Sequence, residues 1–524
     1  MQAIEQIASP QIQSAKDDQE LPWDILIALI PLLTTKADLS RLMRSCMTLH
    51  EYMLPFLARQ CLVKSWEGVA SLWEFVRSNP GRYLLIEDLE LPNPSALGDI
   101  ELPGTQKALM MAVSVVANAS KLQTLRLHGV DTLLSSCQIL LPAIVSLPDL
   151  KAVYFDEIGN SRGAALLGQM TCPLHRIVLD FGYHILSDES LPQPDLFQLL
   201  APSEQTLEEL TLIDTPTQST FSQPINSNVR FTRVHTLIID VGWMDGCIAA
   251  IDLPFAFPNL KTLIWRSEQD DYPEDIEDQR GRYLDRADEA RGSWDILDVL
   301  DCDACWVYNY AFRYPLRLWS GVVLGRHEKH LSYFRTVLAT IRPKHLDVAL
   351  LVQYLRVDLD HSLDVFPPSE ITHLNVSFNN YTENDTDPGR VVVRRFKEYM
   401  SQLHSGFKHM PALQFLSLRF QFDLPTLAEC GPFVAFGFGA LDAGAYTRKL
   451  AEHLPELKHV AFQFRHFPEL DACWAITRQP LDVVKLTKDA AHGVLCDSPF
   501  AEKLCGRLAE EEANVNLQIL NATW

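Results

Sequence analysis

The chain has 524 residues, 47% of them hydrophobic and 21% charged, which supplies a large core and is far from the composition of a disordered protein. Its 67 acidic residues against 45 basic ones give a formal net charge of -22, a field that repels nucleic acid and anionic lipid, so neither is an expected partner. Eleven cysteines without framework spacing suit a reducing compartment, and charges break every apolar run before a membrane span is reached, so cytosol or nucleus is expected.

Residues 1–20, MQAIEQIASPQIQSAKDDQE, are polar and aperiodic and read as a mobile tail without the features of a signal peptide. From Leu21 to about residue 64 the pattern is helical. Pro22 stands where a first helix begins, Ile25, Leu26, Leu29 and Ile30 share one side of it, and Pro31 ends or kinks it before Leu33. Asp38 is placed to cap a second helix, in which Leu39, Leu42, Cys46, Leu49 and Met53 recur at steps of three and four. Two short helices cannot bury so much apolar surface against each other.

A different unit then recurs: IEDLEL from Ile86, LQTLRL from Leu122, LKAVYF from Leu150, LHRIVL from Leu174, LEELTL from Leu207, VHTLII from Val234 and LKTLIW from Leu260. It resumes as ITHLNV from Ile371, LQFLSL from Leu413, LKHVAF from Leu457 and LDVVKL from Leu481. Starts in the first series lie 24 to 36 residues apart, and helix-capable stretches fill the intervals, several closed by Pro-x-Leu. The expected fold is α/β, an irregular leucine-rich-repeat solenoid over residues 65–500 whose units bury their edges on one another, with 501–524 as a C-terminal cap or tail. Unrelated βα units in a globular domain are the alternative, and the repeated Pro-x-Leu lead-in argues against them. The asparagine that usually follows the last apolar position is largely missing, so no continuous asparagine ladder is expected.

Strand alternation assigns Leu125 and Leu127 to the interior and Thr124 and Arg126 to an open face. By the same rule that face carries Arg126, His128, Tyr154, Arg176, Glu209, Thr211, Arg266, His373, Asn375 and Arg419, the expected contacts for a target protein. Both charge signs occur among them. Between Glu268 and Cys305 the pattern lapses. The acidic stretch near 268–290 reads as a solvated insertion, RGSWDILDVLDCDACWVY as a return to helix, and no unit is assigned from there to Leu350.

Four motifs touch on chemistry. GNSRG, Gly159–Gly163, fits the G-x-S-x-G elbow of serine hydrolases, with Ser161 as nucleophile, but Asp156 and Glu157 stand where a buried central strand would be apolar. Cys302 and Cys305 have the spacing of half a zinc knuckle without a second pair of ligands nearby. HEKH, His327–His330, spaces its histidines three apart instead of four, and GFGALDAG has Asp442 where a dinucleotide loop has its third glycine. No catalytic residue, metal or cofactor is therefore expected.

LPWDIL, then LIALIPLL, a polar turn, DLSRLMRSCMTLHEY and MLPFLARQCL resemble the F-box of fungal leucine-rich-repeat F-box proteins. The residues that carry the resemblance are Leu21, Pro22, Asp24 in place of Glu, Ile25, Leu26, Asp38, Leu39, Leu42 and Cys46, within residues 21–64; Pro31 and Leu49 depart from the family pattern. The resemblance implies a Skp-family adaptor as partner, docked on Leu21, Pro22, Ile25, Leu26, Ile30, Leu33, Leu39 and Leu42, and through it a cullin scaffold. The chain would then be the substrate receptor of an SCF-type ubiquitin ligase. The alternatives are a plain repeat scaffold with a helical N-terminal cap and, third, a hydrolase using Ser161.

Overall fold

Alternation of buried and half-exposed side chains defines the strands. Leu125 and Leu127 are buried and Thr124 and Arg126 half-exposed, and the same pattern holds at Asp88–Leu91, Ala152–Phe155 and Glu209–Ile213. A computed structural model describes residues 30, 36–45, 47–97, 103–158, 161–182, 196–214, 229–241, 253–267, 276–285, 292–325, 329–351, 366, 369–380, 400, 403–404, 406–422, 442–464 and 470–501. The expected N-terminal tail and the 501–524 cap, apart from Ala501, lie outside these residues.

Among them the fold is α/β, with one open sheet of 16 strands in chain order. The strands are β1 (Gln60–Leu62), β2 (Asp88–Leu91), β3 (Thr124–Leu127), β4 (Ala152–Phe155), β5 (Arg176–Asp180), β6 (Glu209–Ile213), β7 (Thr236–Val241) and β8 (Thr262–Ser267). They continue as β9 (Leu297–Cys302), β10 (Leu316–Leu324), β11 (His345–Leu351), β12 (His373–Asn380), β13 (Phe415–Phe422), β14 (His459–Phe464), β15 (Ala472–Arg478) and β16 (Leu481–Lys485). Pairing is parallel from β1 to β14 and antiparallel at β14/β15 and β15/β16.

Each unit enters its strand the same way. A buried leucine or isoleucine sits at the corner, as at Leu122, Leu150, Leu260, Ile371, Leu413 and Leu457. The next residue's amide then donates to the carbonyl at the same corner of the preceding unit. Gln123 N donates to Glu87 O at 2.8 Å, Lys151 N to Gln123 O at 2.8 Å and His175 N to Lys151 O at 2.7 Å, and the ladder resumes from Thr372 N to Lys344 O, Gln414 N to Thr372 O and Lys458 N to Gln414 O, each at 2.8 Å. Main chain thus satisfies main chain at the corners. The return segments pack on one side of the sheet: α3 (Trp66–Arg77), α4 (Pro103–Asn118) and the helices after them share a continuous apolar core with the inward strand residues. Trp66 at the start of α3 and Ile476 in β15 mark its two ends.

Four expectations are corrected. Gln60–Leu62, assigned to the N-terminal helical unit, pairs with β2 as the first strand, because Cys61 and Val63 find apolar cover on the main core. The interval after Glu268 holds structure: α10 (Ile276–Asp285) buries Ile276 and Tyr283, which lie seven residues apart on one side of the helix. Leu297–Cys302 is strand β9 where helix was expected, burying Leu297, Leu300 and Cys302, and β10 and β11 follow as further parallel strands. Finally, LDVVKL is antiparallel β16, hairpinned to β15, so the parallel series ends at β14.

Candidate interaction surface

Two places in the fold bring the sequence-expected residues together. The first is the face of β2–β6 turned away from the helices. Asp88 is ion-paired with Arg126, whose guanidinium lies 4.7 Å from the centre of the Tyr154 ring. Arg176 approaches the same ring at 5.5 Å from the strand on the other side, and its Nε lies 3.1 Å from Glu209 Oε2. Asp88, Arg126, Tyr154, Arg176 and Glu209 therefore form a ladder over five neighbouring strands, with an aromatic ring between two cations and a carboxylate beyond each. Cation–π contacts of this sort contribute about 0.5–1 kcal/mol at exposed sites, enough to fix the side chains without burying them.

His128 extends the ladder, its Nδ1 3.1 Å from Asp156 Oδ2 and its Nε2 3.4 Å from Glu90 Oε1. Asp180, one strand on, titrates above the ordinary carboxylate range chiefly because it is partly buried; the Gly182 amide opposes that shift, and the charges of Asp156, Glu157 and Asp240 add to it. Thr211 on β6 is half-buried beside this ladder, while Arg266 is exposed on β8. The half-buried Val178, Ile238 and Ile264 lie on the same face of β5, β7 and β8. The face thus offers apolar contact flanked by fixed charges of both signs.

His373, Asn375 and Arg419 belong to a second place, on β12 and β13. His373 and Arg419 are half-buried, but Asn375, expected on an open face, is 1% exposed. Alternation puts it on the right side of the sheet. A cover that alternation cannot foresee buries it there. The imidazole rings of His345 and His373 meet edge to face at 4.7 Å, and His373 stacks on Phe415 at 5.9 Å. Burial, then His373, Arg317 and Lys344, lower the pKa of His345 to about 4; burial and neighbouring positive groups lower those of His373 and His459 as well.

At the N-terminal end, α1 (Lys36–Met43) and α2 (Met47–Arg59) enclose a small core of their own, formed by Ile30, Leu39, Met43, Leu49 and Met53 and separate from the core under the sheet. Ile30 and Leu39, expected as partner contacts, are interior here, and Leu42 is half-buried against them. Leu21, Pro22, Ile25, Leu26 and Leu33 lie outside the described residues. Sequence reasoning missed the outer side of α2: Met47 is 75% exposed, and Tyr52 and Phe56, one turn apart, are 52% and 40% exposed. The signal was available, since aromatic residues at i and i+4 beside a leucine seam mark a second apolar side.

The described residues of the chemical motifs take the following places. Ser161 opens α7 (Ser161–Gln169); Gly163 donates its amide to Asp131 Oδ1 at 2.8 Å, and a Cβ there would stand 2.9 Å from Ile158 Cγ2. Cys302 lies in the main core and Cys305 in a smaller cluster with Ile276 and Tyr333. Between them Asp303 caps α11 (Ala304–Asn309), accepting from Cys305 N at 2.9 Å. Burial, reinforced by Asp303 and Asp301, holds the Cys302 thiol well above its ordinary range, opposite to what a redox dithiol needs. Asp442 caps α13 (Ala443–His453), accepting from Ala445 N at 2.8 Å. Of HEKH only Lys329 and His330 are described, Lys329 at the N-cap and His330 buried at the start of α12 (His330–Ile341).

Among the described residues no three His, Cys, Asp or Glu side chains are grouped to hold a metal ion, and no helix is long and apolar enough to cross a membrane. No protein-family model matches the chain, and no curated protein matches it.

Proposed function

We propose that the chain is the substrate-recognition subunit of an SCF-type ubiquitin ligase. In this reading the helical unit before the sheet is an F-box that docks a Skp-family adaptor, and through it a cullin scaffold. The sheet with its helices is an irregular leucine-rich-repeat solenoid whose free face takes the target protein, and the receptor has no active site of its own. The observation that carries the reading is the N-terminal unit, a helical pair with a private core that leaves Tyr52 and Phe56 facing solvent. Exposed aromatic anchors of this kind characterise surfaces that a partner buries.

A capped scaffold without an adaptor is favoured by one feature, since α2 ends at Arg59 and β1 begins at Gln60 with nothing between, as in a terminal cap. Binding and stability separate the two readings. For the receptor, Leu21→Ala, Ile25→Ala and the pair Tyr52→Ala/Phe56→Ala each weaken adaptor affinity, by about thirtyfold for an anchor worth roughly 2 kcal/mol, and leave the thermal midpoint nearly unchanged. Ile30→Ala and Leu39→Ala instead destabilise the helical unit by roughly 2–5 kcal/mol. A well-folded parent chain that captures no Skp-family adaptor would leave the scaffold.

A further inference from the structure

On β13, β14 and β15 the face opposite the helices is covered by a later part of the chain. Phe415, Ala461 and Cys473 lie on that side and form a buried apolar cluster with Phe500, against which Leu318, Leu486, Ala491, Val494 and Leu495 pack. The covering segment, Leu486–Phe500, contains α14 (Lys488–Cys496). Its hold is thin. No residue of α14 is buried, and the anchor is Phe500, 2% exposed, with its ring 6.3 Å from that of Phe415.

What lies on the covered face is polar. Asn375 and Ser417, paired in register on β12 and β13, are both fully buried. Asn375 Nδ2 donates to Asp347 Oδ1 at 2.7 Å. A carboxylate only accepts, so this bond fixes the amide and leaves Asn375 Oδ1 as an acceptor without a donor. Ser417 Oγ and His345 Nδ1 are buried without partners too. In register Ser417 is followed by Ala461 and Cys473, both in the cluster under the segment. Polar atoms buried beside this apolar cluster have their desolvation uncompensated.

We propose that this face is a segment-binding site which the chain occupies with its own residues 486–500, and that a partner's segment displaces them. The incoming segment is of the same amphipathic kind: an aromatic anchor against Phe415 and Leu318, and hydrogen-bond donors for Asn375 Oδ1 and Ser417. The resident segment competes through its tether, the incoming one through the polar bonds the resident does not make. The inference rests on the reading that the free face takes the target protein, and it adds that part of that face is closed until a partner opens it.

Cys473, under the segment, is a native reporter. Burial raises its thiol pKa to about 11, so it reacts slowly while covered. The experiment is iodoacetamide labelling of the full chain, resolved by residue in a mass spectrometer, with Cys302 in the main core as internal standard. Cys473 labels faster than Cys302 in the parent, and Phe500→Ala raises the Cys473 rate by about tenfold, the effect of roughly 1.4 kcal/mol of anchor, without moving Cys302. Ser417→Ala slows Cys473, because removing the unpartnered hydroxyl tightens the cover; a general loss of stability would speed it. A peptide of residues 486–501 carrying Cys496→Ser, at about the millimolar effective concentration of a tethered segment, restores protection in the Phe500→Ala chain, and a scrambled peptide does not. Equal labelling of both thiols in the parent, a parallel rise of both in Phe500→Ala, faster labelling in Ser417→Ala, or no protection by the peptide would each overturn the proposal. None of these measurements uses the adaptor or the target, so the receptor reading and this one fail separately.

Discussion

Tyr154 has a guanidinium on each side, and each of those cations is held by a carboxylate of its own, Arg126 by Asp88 and Arg176 by Glu209. Side chains fixed in this way lose little further freedom when a partner arrives, which is why a half-exposed charged ladder serves recognition better than free lysines would. Replacing Arg126, Tyr154 and Arg176 together with alanine is expected to abolish target capture while adaptor binding and the thermal midpoint are retained; an equal loss from three changes on the outer helices would move the target site elsewhere. His345 makes a different prediction. Its folded pKa lies near 4 against an ordinary 6.5, so the unfolded chain takes up the proton first as pH falls. Its contribution is intact above about pH 6.5 and is lost progressively toward pH 4, on the order of 3 kcal/mol in all. Urea unfolding at pH 7 and pH 4.5 tests this, because His345→Gln removes that part of the pH dependence; an unchanged slope would contradict the assignment.

At the scale of single elements, β10 shows where local pattern stops being informative. Its register to β11 shifts between Trp319 and Val322, and Gly321 stands at the shift with φ +77°. A Cβ there would come within 3.0 Å of the Cys302 amide and closer still to Asp301. Gly321→Ala is accordingly expected to cost about 2–3 kcal/mol, read from the denaturant midpoint; a change under about 0.5 kcal/mol would mean that the strand relaxes freely. Strands such as β3 and β13 were legible because a buried corner leucine and strict alternation leave only one face for the core. β9 was not, since Ile296, Val299 and Leu300 recur at steps that helix and strand share. β10 was missed because its bulge breaks the period of two. Arg126, Tyr154, Arg176 and Glu209 were legible from alternation alone, whereas the burial of Asn375 was not, because alternation assigns a side of the sheet and says nothing of what covers it.

For the molecule as a whole, the ordering of the strands matters more than any one of them. Every parallel strand pairs with the one made just before it, at separations from 19 residues, Leu297 to Leu316, to 44, Phe415 to His459. Such a chain has no need to wait for its far end, and during synthesis each unit that leaves the ribosome finds its docking edge already built. Residues 486–500 are the exception. They reach back to β13, where Phe500 meets Phe415, and they are translated after the strands they cover. The nascent protein therefore displays its polar strip uncovered until residues 486–500 have themselves been made, and it acquires its closed form only then.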